Sequence, residues 1–207
     1  MAKAAAKQRR TSPDGKSARG RNRREAIITE AAKLFHHNGF HETGIDDIGA
    51  AVGITGPGVY RHFESKQDLL AAILDRSMTR HQEIVAEARE CGLPPKQALG
   101  KLVELSADVI AHNRDVAVVA FQQGRNLAPD ELARFTKIQR GLIADWVQML
   151  RAARPELVEE DARVAVRAAG GLLNSVAYFT TSMSPNRLGQ ILADMALAAL
   201  MSPTNRR

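Results

Sequence analysis

Three groups of side chains in this 207-residue chain have the types and spacing to carry chemistry. His36, His37 and His41 lie beside Glu42, a set of zinc-like ligands. Cys91 is the one cysteine and a potential nucleophile. Thr55, Tyr60, Arg61, His62 and Lys66 form a short run of hydrogen-bond donors suited to a polyanion. The first two groups fail on geometry. Gly39 is expected to end a helix between His37 and His41, so the pair lacks the one-face spacing of an HxxxH zinc site. Cys91 sits beside Gly92, Pro94 and Pro95 with no evident His partner. No Walker loop, dinucleotide fingerprint or GxSxG motif occurs. The sequence therefore predicts no catalytic residue, no metal site and no cofactor, and it argues against an enzyme.

The donor run needs elements to hold it. Thr43 precedes Gly44, Ile45 and Asp46 with the spacing of a capping box, and Ile45, Ile48, Ala51 and Val52 recur at helical intervals. Gly53 suits the left-handed residue that closes a helix, and Ile54 can tuck beneath the turn. Thr55 can cap a second short helix that opens on Gly56, Pro57 and Gly58, with proline early enough to cost no hydrogen bond. Two short helices around a tight turn form a helix-turn-helix, whose second helix presents its first residues to base edges. The small opening residues predict close backbone approach. Thr55 would reach base or phosphate, and Tyr60, Arg61, His62 and Lys66 would face phosphates.

From Arg24 to about Leu74 the chain resembles the N-terminal domain of the TetR family of transcriptional regulators. The residues that carry the likeness are Ile28, Ala31, Leu34, Phe35, Gly39, Phe40, Thr43, Ile45, Ile48, Gly53, Ile54, Gly58, Tyr60, His62, Phe63, Ser65, Lys66 and Leu69. Gly49 stands where the family usually has Ala, a change expected to loosen that helix by about 1 kcal/mol. The resemblance covers about a quarter of the chain. Its candidate DNA contacts are Arg21, Arg23, Arg24, Thr43, Thr55, Gly56, Pro57, Gly58, Tyr60, Arg61, His62 and Lys66.

Charge and periodicity organise the rest. Residues 1–24 hold nine Lys and Arg against Asp14 alone, while the whole chain has a formal net charge of +6, so the remainder is slightly acidic. Residues 1–19 are polar and aperiodic and are predicted to form a disordered basic arm that follows phosphates or enters a minor groove. Residues 20–66 form the predicted DNA-binding domain, 67–202 a helical ligand-binding and dimerisation domain, and 203–207 a flexible end. Strand patterns are nearly absent, so the fold class is all-α with about nine helices. A first helix is expected over Arg21–Asn38, and a fourth begins after Ser65, with Asp68 as its capping partner. Further helices are expected at about 95–113, 115–124, 129–153, 159–183 and 185–201. With no long apolar run, no secretory leader and a single cysteine, a cytoplasmic location is expected.

The last two helices carry stripes that allow close packing: Val164, Ala168, Gly171, Leu172 and Ser175, then Leu188, Ile191, Leu192, Met195 and Ala199. Periodicity fits either a monomer core or an interface. The family resemblance implies the latter, in a homodimer whose two reading heads meet a palindromic operator. It also implies a cavity for a small, largely hydrophobic effector. The candidate lining residues are Phe121, Gln122, Arg125, Trp146, Met149, Leu150, Asn174, Tyr178 and Phe179, and Arg114 and Arg125 are candidates for an anionic group. The resulting expectation is a homodimeric repressor released from double-stranded DNA by that effector. The alternative is a nonspecific architectural nucleic-acid binder driven by the basic arm.

Overall fold

The computed structural model describes residues 13–203, with side chains from residue 20 onward. Residues 1–12 of the expected arm and 204–207 of the expected flexible end lie outside the described residues. Among the described residues there are nine α-helices and no strand: α1 (Pro13–His37), α2 (Ile45–Ala51), α3 (Gly56–Val59), α4 (Lys66–Glu90), α5 (Pro95–His112), α6 (Arg114–Gln122), α7 (Pro129–Ala153), α8 (Glu159–Leu173) and α9 (Pro185–Met201). No helix is long and apolar enough to cross a membrane.

Two departures from the sequence reading have clear causes. Helix α1 starts at Pro13, so residues 13–19 are helical rather than part of an unstructured arm. Proline fits the first turn, and extending an already nucleated helix avoids the cost of a new nucleus, so the stretch stays helical despite Gly15 and Gly20. Helix α8 ends at Leu173 instead of running on to 183, with a single 3₁₀ turn over Asn174–Ala177 after it. Asn174 Nδ2 donates to the Gly170 carbonyl, an alternative to the backbone ladder. Beyond it, Arg114 donates to the carbonyls of Val176 and Phe179, and Gln122 to that of Ala177. These side chains supply the donors that another helical turn would have provided.

The helices enclose two cores. The first gathers Ile27, Ile28, Phe35, Phe40, Ile48, Val59, Phe63, Leu69 and Ile73 from α1 to α4, with Val116, Val119 and Leu127 added from the larger domain. Phe35 and Phe40 meet edge to face at 5.1 Å, closing the corner where Gly39 turns the chain with φ of +90°. The second core joins the lower half of α4 to α5, α7, α8 and α9. Helix α4 therefore runs through both. Its start is fixed by Ser65, whose Oγ accepts from Asp68 N at 3.0 Å while Asp68 Oδ2 accepts from Glu64 N. Buried Arg154, the residue that closes α7, donates to the carbonyls of Leu200 and Ser202 and holds the C-terminus of α9.

Candidate nucleic-acid interface and cavity

The reading head is built outward from α2. Thr43 does not cap that helix: it is 1% exposed, and its hydroxyl donates to the carbonyls of Gly39 and Leu34. Gly44 takes the N-cap position, with its N–H donating to Asp47 Oδ2 at 2.9 Å. Thr43 is thus corrected from DNA contact to internal brace. Ala51, expected on the buried face of α2, is exposed instead. The turn residue Gly53 has φ of +70°, as the left-handed cap requires.

The glycines around α3 face the protein, not its surroundings. A Cβ on Gly49 would lie 2.8 Å from the Ile54 carbonyl oxygen, so this glycine lets the two helices approach rather than loosening one of them. A Cβ on Gly56 would lie 2.1 Å from Asp46 Oδ1, and one on Gly58 3.3 Å from the Ile54 side chain. Gly56 is buried and leaves the candidate DNA surface, and Gly58 is half-buried against Ile54. What faces outward is Thr55, Pro57, Tyr60 and Arg61, with Tyr60 54% exposed. Thr55 occupies the N-cap of α3, but its side chain makes no cap hydrogen bond. Its hydroxyl is available to another molecule.

Several expected phosphate donors have internal duties. Lys66 Nζ donates to the carbonyls of Thr43 and His41 at 3.0 and 3.2 Å and lies 4.8 Å from the Phe40 ring centroid. Arg23 donates to the Val52 carbonyl at 2.7 Å, and the Arg24 guanidinium sits over the Phe63 ring. Both arginines stay exposed beside Arg21, so each couples α1 to the head while keeping its charge at the surface. His62 is half-buried. The triad of sequence-suggested zinc ligands is not assembled as such: the fold pairs His36 and His37 with Asp115 at the start of α6. His36 Nδ1 lies 2.6 Å and His37 Nε2 3.6 Å from Asp115 Oδ1. The shorter contact is a hydrogen bond that ties the end of α1 to the larger domain.

A cavity of about 350 Å³ opens among α4, α5, α6, α7 and α8. Of the expected lining residues, Phe121, Trp146 and Asn174 are there. Met149 and Leu150 are packed in the core. Gln122 is committed to the Ala177 carbonyl, Arg125 is exposed on the Gly124–Asn126 turn, and Tyr178 and Phe179 lie on the surface, Tyr178 meeting Phe121 edge to face. Arg114 is likewise spent on backbone carbonyls, so it is not an anion anchor. The sequence reading missed Ser77, His81, Ser106, Gln139 and Arg167, the polar members of the lining other than Asn174. Periodicity marks their helices but not which turns of α4, α5, α7 and α8 meet.

The stripes on the last two helices divide. Leu188 and Leu192 are buried in the protomer's own core against α5, where α9 packs closely through Gly189. Both are corrected from interface to core. Val164 at 60% exposure, Ala168 and Gly171 remain outward on α8, with Leu172 and Ser175 half-buried beside them. Met195 at 52% exposure and half-buried Ile191 and Ala199 form the outer face of α9. An apolar, small-residue surface is thereby left on two adjacent helices.

A short helix-turn-helix head set on a larger helical bundle with its own cavity defines a helical DNA-binding regulator. Residues 27–73 match the family model described as bacterial regulatory proteins, tetR family, and residues 92–200 match that of the tetracyclin repressor-like C-terminal domain. The chain belongs to the TetR family of transcriptional regulators. It is 27% identical over 164 residues to the transcriptional activator FasR of Mycolicibacterium smegmatis, covering 79% of this chain and 74% of FasR. It is 24% identical over 195 residues to the transcriptional repressor BepR of Brucella suis, covering 88% of this chain and 93% of BepR. Its fold superposes with a TM-score of 0.76 on a TetR-family regulator from Bordetella parapertussis, at 26% identity over 86% of this chain and 93% of the other. Members of the family are DNA-binding proteins, not enzymes, and generally act as ligand-responsive dimers.

Proposed function

We propose that this chain is a homodimeric, sequence-specific regulator, acting as a repressor, that is released from a palindromic operator when a small, largely apolar effector fills the cavity. The observation that carries this reading is the position of α6. Val116 and Val119 belong to the core of the reading head, while Ala117, Ala120 and Phe121 on the same helix line the cavity. The His36–Asp115 hydrogen bond joins its first turn to α1. A ligand that displaces α6 must therefore move or strain the head. Release follows only if the effector binds the DNA-incompetent arrangement more tightly than the competent one.

On the DNA, Thr55, Pro57, Tyr60 and Arg61 meet the major groove and its phosphates, and Arg21, Arg23 and Arg24 lie along the flanking backbone. The outer faces of α8 and α9 close the dimer, so that two heads address two half-sites.

The charge of residues 1–24 favours one other reading, a nonspecific architectural binder. Removing residues 1–12 separates the two in gel shifts with a selected duplex and a scrambled one at two salt concentrations. The regulator loses affinity for both duplexes and keeps its preference for the selected one. Equal and nearly complete loss on both supports the architectural reading.

A further inference from the structure

In the wall of the cavity, two polar groups on neighbouring helices have hydrogen-bonding capacity that the protein does not use. Ser106 is 1% exposed and its Oγ has no hydrogen-bond partner, although a helical serine can bond back to the preceding turn. A buried hydroxyl left this way is unusual and costly. His81 Nδ1 lies 2.8 Å from the Ser77 carbonyl oxygen, which can only accept, so Nδ1 carries the hydrogen. Nε2, on the far edge of the ring from the α4 backbone, is then a lone-pair acceptor while the ring is neutral. Burial, the dominant effect, pushes the imidazole pKa below its ordinary value; the Ser77 carbonyl opposes this and Arg80 adds to it. The ring is accordingly neutral at physiological pH.

The two groups belong to the lining of one cavity and come from adjacent helices. Helices α4 and α5 are neighbours joined by the short break at 91–94 and packed through one core, and the Lys101–Glu87 ion pair at 3.1 Å marks their antiparallel register. His81 and Ser106 lie roughly equally far beyond that pair, and both line the cavity, whose remaining walls are mainly apolar.

We propose that the cavity selects an apolar molecule bearing one neutral hydroxyl, whose O–H donates to His81 Nε2 and whose oxygen accepts from Ser106 Oγ. This rests on the reading of the cavity as the effector site. A hydroxyl is the smallest group that offers both halves of such a pair, and a site built to bond it discriminates against analogues that lack it.

The chain contains one tryptophan, Trp146, and it lines the cavity, so its fluorescence reports occupancy directly. Titrate the full chain with n-decanol, with its isomer methyl nonyl ether, which has the same atoms but no O–H, and with n-decanoate. The alcohol should bind about tenfold more tightly than the ether, and Ser106→Ala or His81→Leu should cut that advantage to about twofold while leaving ether affinity nearly unchanged. Circular dichroism checks that each variant is folded, and Ser106→Ala, a small change to a better helix former, keeps the test open if the histidine variant is not. Equal affinities for alcohol and ether, an advantage that survives both substitutions, or tighter binding of decanoate through Arg167 would overturn the proposal. If no probe alters Trp146 fluorescence, the effector-site reading fails and takes the proposal with it.

Discussion

At the scale of single residues, the reading head separates groups that hold the structure from groups left for a partner. Thr43 and Lys66 look like DNA contacts in the sequence because both are polar and flank the motif. In the fold they brace the loop between α1 and α2 with bonds to the carbonyls of Leu34, Gly39, His41 and Thr43. Thr55 looks like a cap yet makes no cap bond. Thr55→Ala should therefore leave the thermal midpoint nearly unchanged, where loss of a working cap would cost about 1 kcal/mol, and should weaken binding to a selected duplex. Paired thermal melts and fluorescence anisotropy check both halves. His81 offers a test in pH. Its depressed pKa means that below the ordinary value of 6.5 the unfolded chain takes up a proton that the folded chain resists. Stability should fall as pH drops from about 6.5 towards the folded-state value, and urea titrations of His81→Leu across that range should show a flatter profile.

At the scale of elements, helix existence and most boundaries were legible because caps and apolar periods are local signals. Pro129–Ala153 and Pro185–Met201 match their predicted spans, and Ser65 with Asp68 starts α4 as read. The misses are tertiary. The end of α8 depends on Arg114 and Gln122, which reach across from α6, and no pattern within α8 announces them. In the sequence Gly56 and Gly58 read as a thin surface for DNA and Gly49 as a weak point of its helix, but all three make room where α2, the turn and α3 meet. Helix propensity alone predicts that Gly49→Ala stabilises the chain by about 1 kcal/mol. Because the new methyl would meet backbone atoms at 2.8 and 3.0 Å, the expected result is the reverse, a loss of about 1 kcal/mol or more, measured by chemical denaturation.

At the scale of the whole molecule, α6 joins the two cores, and the outer faces of α8 and α9 leave an apolar surface on the protomer. The cavity was only partly legible. Phe121, Trp146 and Asn174 were among the candidates picked by residue type for a cavity that the family resemblance implied, whereas His81 and Ser106 come to line it only through the packing of α4 on α5. The dimer stripes were legible as stripes, but which side of α9 faced inward was decided by packing on α5. A charge at the centre of the outward face should break association: Val164→Glu is expected to give a folded monomer in sedimentation velocity, with affinity for a two-half-site duplex reduced at least tenfold.

If two copies of this head read DNA together, the sequences they bind must carry two related half-sites. Selection of bound sequences from a random duplex pool measures this, and the expected result is enrichment of inverted repeats whose half-sites keep one fixed spacing. A recovered pool with no enriched sequence, or with isolated half-sites in no fixed relation, would contradict it.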